Sequence, residues 1–224
     1  NYKEYFAIRD IVEENYDILI VGSDVVWAQF HGGVNELKFL NIPEYNGKKI
    51  SYGASFGKNW IPDENKKIIY NDLTKFDGIS VREKSSIELL GEIGIKNVKH
   101  VCDPTLLLDS KEWRKEEIRC KCVKCKYIFT YLLGDDSKQK EHIKKYAKIK
   151  HLKIVNIPNS NGIYNKSDEN FGDINIKDCS PQEWLWLIDN AEYIFTDSFH
   201  GTIFSSIFEK KFFIIKRKYS IDIN

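Results

Sequence analysis

The stretch Tyr193-Ile194-Phe195-Thr196-Asp197-Ser198-Phe199-His200-Gly201-Thr202-Ile203-Phe204-Ser205-Ser206-Ile207-Phe208-Glu209, with Phe212-Phe213-Ile214-Ile215 a few residues on, decides the fold. Tyr193–Thr196 is a short apolar run rich in β-formers, and it predicts a buried strand. Ser198–Glu209 carries Ile203, Phe204, Ile207 and Phe208 at helical spacing, with Ser198 as N-cap. Phe212–Ile215 predicts a second strand. Strand, helix and strand in that order make a βαβ unit, whose two strands run parallel in one sheet.

The same alternation continues upstream. Ser180-Pro181-Gln182-Glu183 opens a helix with Ser as N-cap, Pro in the first turn and Glu at the third position. Before it lie a predicted strand over Leu152–Ile157, a polar loop over Asn159–Gly172, a basic helix over Ser137–Ile149 and a strand over Tyr127–Leu133. Nearer the N-terminus, strands are predicted at Asp17–Val21, from Lys49, at Gly78–Arg82 and at Val98–Cys102. Helices are predicted over residues 63–74 and Lys84–Gly91, the latter closed by Gly91 and Gly94. A charged stretch between the halves, with a short helix near Lys111–Glu117, lacks a long apolar period. The expected organisation is two α/β domains, 1–110 and 127–224, joined by a linker at 111–126. The chain opens helix-like at Asn1-Tyr2-Lys3-Glu4-Tyr5-Phe6 and contains no Met, so it reads as a fragment with a truncated N-terminal domain.

Composition narrows the classes. The chain has 224 residues, 42% hydrophobic and 30% charged, with 34 Lys+Arg against 33 Asp+Glu for a net charge of +1. That balance argues against nucleic-acid binding through the overall field. No apolar run approaches the roughly 18–20 residues of a membrane span, and a soluble, cytoplasmic protein is expected. Cys120, Cys122 and Cys125 form C-x-C-x-x-C, while Cys102 and Cys179 stand alone. A structural zinc site wants four ligands, commonly two paired knuckles, and no second Cys-x-x-Cys follows, so these read as plain thiols and no metal is expected.

In parallel α/β sheets ligands sit beyond the carboxyl ends of strands. The residues there are Gly22-Ser23-Asp24, Ser55-Phe56-Gly57, Arg82-Glu83, Asp103-Pro104 and Asp197-Ser198-Phe199-His200-Gly201-Thr202. The last group enters a helix whose start suits phosphate or carboxylate. His200 adds a group that titrates near neutrality, and Gly201 lets a ligand approach the backbone. The alternative is that Ser198 only caps and His200 only packs; the convergence of His, Gly, Thr and Asp favours a site. Arg82 suits bidentate carboxylate or phosphate binding, or equally an ion pair with Glu83 or Glu88. Ser23 and Asp24 can hold a ligand hydroxyl or act as a base, or simply make an Asx-type turn. Trp27 reads as core rather than a sugar-stacking platform. The Lys run in Ser137–His151 reads as a solvated face rather than a lipid or glycan contact.

Six ordered blocks carry a family resemblance: Val21-Gly22-Ser23-Asp24-x-Val26-Trp27, Ile50-Ser51-Tyr52-x-Ala54-Ser55-Phe56-Gly57, Phe76-Asp77-x-Ile79-Ser80-Val81-Arg82-Glu83, Asp103-Pro104-Thr105-Leu106-Leu107-Leu108, Trp184-Leu185-x-Leu187-Ile188-x-x-Ala191 and Thr196-Asp197-Ser198-Phe199-His200-Gly201-Thr202. Together they resemble the polysaccharide pyruvyl transferases, from about Tyr16 to Lys216. The resemblance implies two Rossmann-like lobes similar to the GT-B glycosyltransferases, with the site in the cleft between lobes. It implies phosphoenolpyruvate as donor and a pyruvate ketal formed on two hydroxyls of a cell-surface polysaccharide or lipid-linked sugar. Arg82 then receives the donor carboxylate. The His200 helix start takes the phosphate, with Ser198, Gly201 and Thr202, and His200 protonates the donor methylene. Asp24, Asp103 or Asp197 accepts the hydroxyl proton, and Ser23 and Ser55 line the substrate. No cofactor or metal is implied, and contact with the inner face of the membrane is compatible with the acceptor. Two other readings share the motifs: a glycosyltransferase using a nucleotide-sugar, and a degenerate binding module without catalysis.

Overall fold

The computed structural model describes residues 8–29, 33–158, 166–168 and 170–217. The helix-like opening at Asn1–Phe6 and residues 159–165 and 169 of the expected polar loop lie outside them. The chain divides into two compact units, residues 1–107 and 108–224.

In the first unit, α1 (Ile8–Glu13) precedes β1 (Ile18–Val21), β2 (Lys48–Ser51), α2 (Asp63–Leu73), β3 (Ser80–Val81), α3 (Lys84–Glu92) and β4 (Lys99–His100). β1 pairs parallel with β2, and β3 parallel with β4. The pairs join through isolated parallel bridges, Ile50 to Gly78 and Ala54 to Val81. Ser51 and Ser80 reinforce that seam, each hydroxyl donating to the other's carbonyl at 3.0 and 2.8 Å. α2 starts with Asp63 and Glu64, which complement the helix dipole, and buries Ile69 and Leu73 one turn apart. α3 ends in a Schellman motif: Gly94, at φ +92°, donates to Gly91 at 3.0 Å and Ile95 donates to Leu90 at 2.9 Å. Trp27 is core, as its sequence context predicts, stacked on Phe39 with centroids 5.4 Å apart.

The second unit holds α4 (Ser110–Lys115), β5 (Tyr127–Tyr131), α5 (Ser137–Lys150), β6 (Lys153–Ile157), β7 (Ile174–Asn175), α6 (Pro181–Asp189), β8 (Tyr193–Thr196), α7 (Phe199–Ile207) and β9 (Phe212–Ile214). Its sheet is all parallel in the order β7-β6-β5-β8-β9. β5 alternates between two cores. Tyr127 and Phe129 join Leu187, Ile188 and Phe204, while Ile128 faces Ile143, Ala147 and Phe195. Both faces are covered, which is why β5 and β8 read as unbroken apolar runs.

Residues 111–126, read from sequence as a linker, pack into the second unit. Cys120 and Val123 are buried in its core and Trp113 lies against Phe204 at 5.0 Å. Asp109 and Glu112 cap α4 reciprocally. β7 was not apparent, because two residues show no alternation. The lysines of the basic helix α5 are solvated as expected, except for Lys140. That ammonium is buried and donates to Asp168 at 2.7 Å and Ser167 at 2.6 Å.

Candidate active site

Numbered by appearance within the second unit, its strands lie in the order 3-2-1-4-5, so the chain reverses its direction of winding between β5 and β8. Ligands of doubly wound sheets bind at that switch point, outside the strand ends. Asp197 stands there. Its buried carboxylate accepts the backbone N–H groups of Leu133 at 2.7 Å and Gly134 at 2.8 Å, tying the loop after β5 to the loop after β8. Arg217, just past β9, donates through Nη2 to the Asp197 carbonyl at 2.8 Å, with Nε 3.4 Å from the carboxylate. Asp197 is therefore a structural anchor of the switch point, with its carboxylate committed, and is poorly suited to serve as a base.

α7 begins at this place. Ser198 caps it, accepting the N–H of Gly201 at 3.2 Å, and Thr202 donates to the Ser198 carbonyl at 3.0 Å. His200 lies in the first turn, half-buried, with its ring edge-on to exposed Phe199 at 5.3 Å. Gly201 also meets a packing demand: a β-carbon there would fall 2.4 Å from Thr196 Oγ1, so α7 sits this close to β8 only with glycine at that position. Thr196 is a positioning residue that the sequence did not single out: its hydroxyl donates to the Tyr131 carbonyl at 2.8 Å and accepts the Ser198 N–H at 3.1 Å.

In the first unit, the ends of β1, β3 and β4 bring Ser23, Asp24, Arg82, Glu83 and Asp103 together. Arg82 donates to Asp103 at 2.8 Å, to Glu83 at 2.9 Å and to Asp24 at 3.3 Å. Asp103 also accepts from Ser23 at 2.8 Å and from the Thr105 hydroxyl at 2.8 Å. Burial alone would raise the Asp103 carboxyl, but hydrogen bonds from Arg82, Thr105 and Ser23 outweigh it and hold the group at about 2. Saturated and strongly acidic, Asp103 is a poor base. Asp24 differs: its side chain is 63% exposed and touches Arg82 only through the longest of the three contacts. Two residues earlier, Gly22 has φ +124° and its β-carbon position lies 2.2 Å from the Tyr52 carbonyl oxygen, so only glycine fits at that position.

Ser55 does not reach a surface. It is fully buried, its hydroxyl accepts the Gly57 N–H at 2.9 Å, and its backbone holds Asp24 and Trp27. Its part is to shape the loop that presents Asp24, a correction to its expected contact with substrate. Arg217 was missed, although a cation just past the last strand obeys the same strand-end rule that drew attention to Arg82. Among the described residues no three His, Cys, Asp or Glu side chains are grouped to hold a metal ion.

Parallel sheets with polar side chains clustered at the carboxyl ends of their strands define the chain as a protein of two Rossmann-like units resembling the GT-B fold. A solved structure with this architecture, UDP-GlcNAc 2-epimerase from Methanocaldococcus jannaschii, matches over 95% of this chain and 65% of its own length, with TM-score 0.56 and 15% identity. The chain thus spans just under two thirds of that protein. No curated protein matches the sequence. The polysaccharide pyruvyl transferase family model matches residues 1–219, and the chain belongs to that family.

Proposed function

We propose that the protein transfers a pyruvyl group from phosphoenolpyruvate to two hydroxyls of a cell-surface polysaccharide or lipid-linked sugar, forming a ketal. Membership of the family, matched across nearly the whole chain, carries this reading. The start of α7, held at the switch point by Asp197, supports a phosphate site there, since a helix N-terminus is partially positive. In this reading His200, in its first turn, protonates the donor methylene, leaving an oxocarbenium-like C2 that one acceptor hydroxyl attacks; the C2–O bond to phosphate then breaks, phosphate departs, and the second hydroxyl adds to C2 with loss of its proton to close the ketal. Asp24, the exposed carboxylate of the Arg82 cluster, is the base that takes the hydroxyl proton. Arg82 receives the donor carboxylate by exchange at Nη2, where its contact with Asp24 is longest; Asp103 and Glu83 hold the rest of the guanidinium. No cofactor is assigned, and the reading sets the protein in the cytoplasm, in contact with the inner face of the membrane. No helix of the described residues is long and apolar enough to cross a membrane.

The test is acceptor-dependent phosphate release from phosphoenolpyruvate. His200→Ala is expected to slow it by about 10²–10⁴-fold, the usual loss for an acid–base group. A rate within about threefold of wild type for both His200→Ala and Arg82→Ala ends these assignments. The likeness to a protein acting on UDP-GlcNAc favours one rival, a glycosyltransferase with a nucleotide-sugar donor. Calorimetry with phosphoenolpyruvate and with a uridine diphosphate sugar separates the two, and binding of the nucleotide alone would select the rival.

A further inference from the structure

Cys120 and Cys122, in the turn that leads into β5, have their sulfurs 2.9 Å apart. That is only about 1 Å longer than the ~2 Å bond of a disulfide. Their α-carbons, two residues apart, are separated by no more than roughly 7 Å. A β-turn, closed by the Val123 N–H on the Cys120 carbonyl at 3.3 Å, draws them toward the roughly 4.4–6.8 Å that a disulfide spans. The two sulfurs differ in access: Cys120 is buried in the core of the second unit and Cys122 is exposed.

We infer that Cys120 and Cys122 form a thiol–disulfide site, oxidised by low-molecular-weight disulfides through the exposed Cys122. In the first step the Cys122 thiolate attacks glutathione disulfide, forming a mixed disulfide and releasing one glutathione thiolate. Cys120, once deprotonated, then attacks the Cys122 sulfur and releases the second glutathione. The two cysteines lose two protons and two electrons, and glutathione disulfide takes both electrons as it becomes two thiols. The order of events follows from access. Burial pushes the Cys120 thiol up to about 11, so it reacts only when a partner sulfur is brought against it. Cys179, pushed up to about 12 by burial, is a weaker competitor for the mixed disulfide.

The experiment exposes the reduced 224-residue chain to oxidised glutathione and reads intact mass, denatured thiol count and peptide maps. The expected product has lost two hydrogens, its thiol count falls from five to three, and the bridge maps to Cys120–Cys122. Cys122→Ser, a change at an exposed position, is expected to abolish the bridge, while Cys125→Ser and Cys179→Ser keep it. A glutathione adduct that persists on Cys122 with Cys120 still a thiol overturns the proposal. So does a bridge to Cys125 or Cys179. One equivalent of zinc retained by the reduced protein also overturns it, since the thiols would then be metal ligands.

Discussion

Arg82 and Asp103 form a 2.8 Å ion pair with almost no solvent contact, their side chains 7% and 2% exposed. The two residues come from the ends of neighbouring strands, and neither charge has water to fall back on. The pair therefore sets the geometry of the cluster around Asp24, and any change to Arg82 acts on stability as well as on the proposed binding of the donor carboxylate.

Arg82→Ala leaves Asp103 buried without its main partner, and stability is expected to fall by about 3–5 kcal/mol. Arg82→Lys keeps the charge but cannot reach three carboxylates from one planar fork, so it recovers only part of the loss. Urea denaturation of the two variants beside wild type measures both. Equal stability of all three would show that the pair holds nothing in place.

Asp103 titrates at about 2, below its unfolded value of about 3.9, because Arg82, Thr105 and Ser23 bond its ionised form. A carboxyl lowered by folding stabilises the native state above its unfolded pKa, and that contribution disappears as pH falls through the folded one. The shift corresponds to roughly 2–3 kcal/mol. Wild type is therefore expected to lose its advantage over Asp103→Asn progressively between about pH 5 and pH 2. Urea titrations at several acidic pH values check this; a constant gap would mean that Asp103 does not ionise differently on folding.

Asp197→Asn replaces an acceptor of two backbone N–H groups with a side chain that has one oxygen and an NH₂ of its own. One amide, of Leu133 or Gly134, then faces a donor, at a cost of about 1–3 kcal/mol. Hydrogen exchange at these two amides should quicken, and phosphoenolpyruvate binding should weaken with the loosened switch point. Unchanged exchange at both positions would contradict the anchoring role.

What could be read in the sequence depended on how local each signal was. β5, β8 and the capped start of α6 were legible because their patterns lie within a few consecutive residues: an apolar run buried on both faces, or Ser180 with Glu183. The packing of residues 111–126 was not, because Trp113, Cys120 and Val123 enter the core from a short helix and a turn, without a period. Partnerships across the chain were equally hidden. Ser23 and Asp103 meet 80 positions apart, and Lys140 stands out from its neighbouring lysines only because Asp168 lies beside it. The strand-end rule located the candidate residues, but which carboxylate is committed and which exposed depends on those distant partners.

Lys140 and Asp168 give a test of that last kind. Asp168→Asn strands a buried ammonium with Ser167 and a more distant Asp135, 3.9 Å away, and should cost about 3–5 kcal/mol. Replacing both partners, Lys140→Met with Asp168→Leu, removes the unpaired charge and should cost much less than the single change. Thermal denaturation of the three proteins decides it, and a double variant as unstable as Asp168→Asn would mean that packing, not charge, dominates there.

Gly201→Ala puts a methyl group 2.4 Å from Thr196 Oγ1 and 3.1 Å from its β-carbon, so α7 must move off β8. Overpacking of this kind costs typically about 1–3 kcal/mol. It should also shift His200, one residue earlier in the same turn, and slow phosphate release along with the loss of stability. Thr196→Ala removes the nearest clashing atom while giving up hydrogen bonds to Tyr131 and Ser198. In a double-mutant cycle the two changes should therefore cost less together than the sum of each alone. Strict additivity would mean that Gly201 is required for some reason other than its contact with Thr196, and the approach of a ligand to the backbone would become the better explanation.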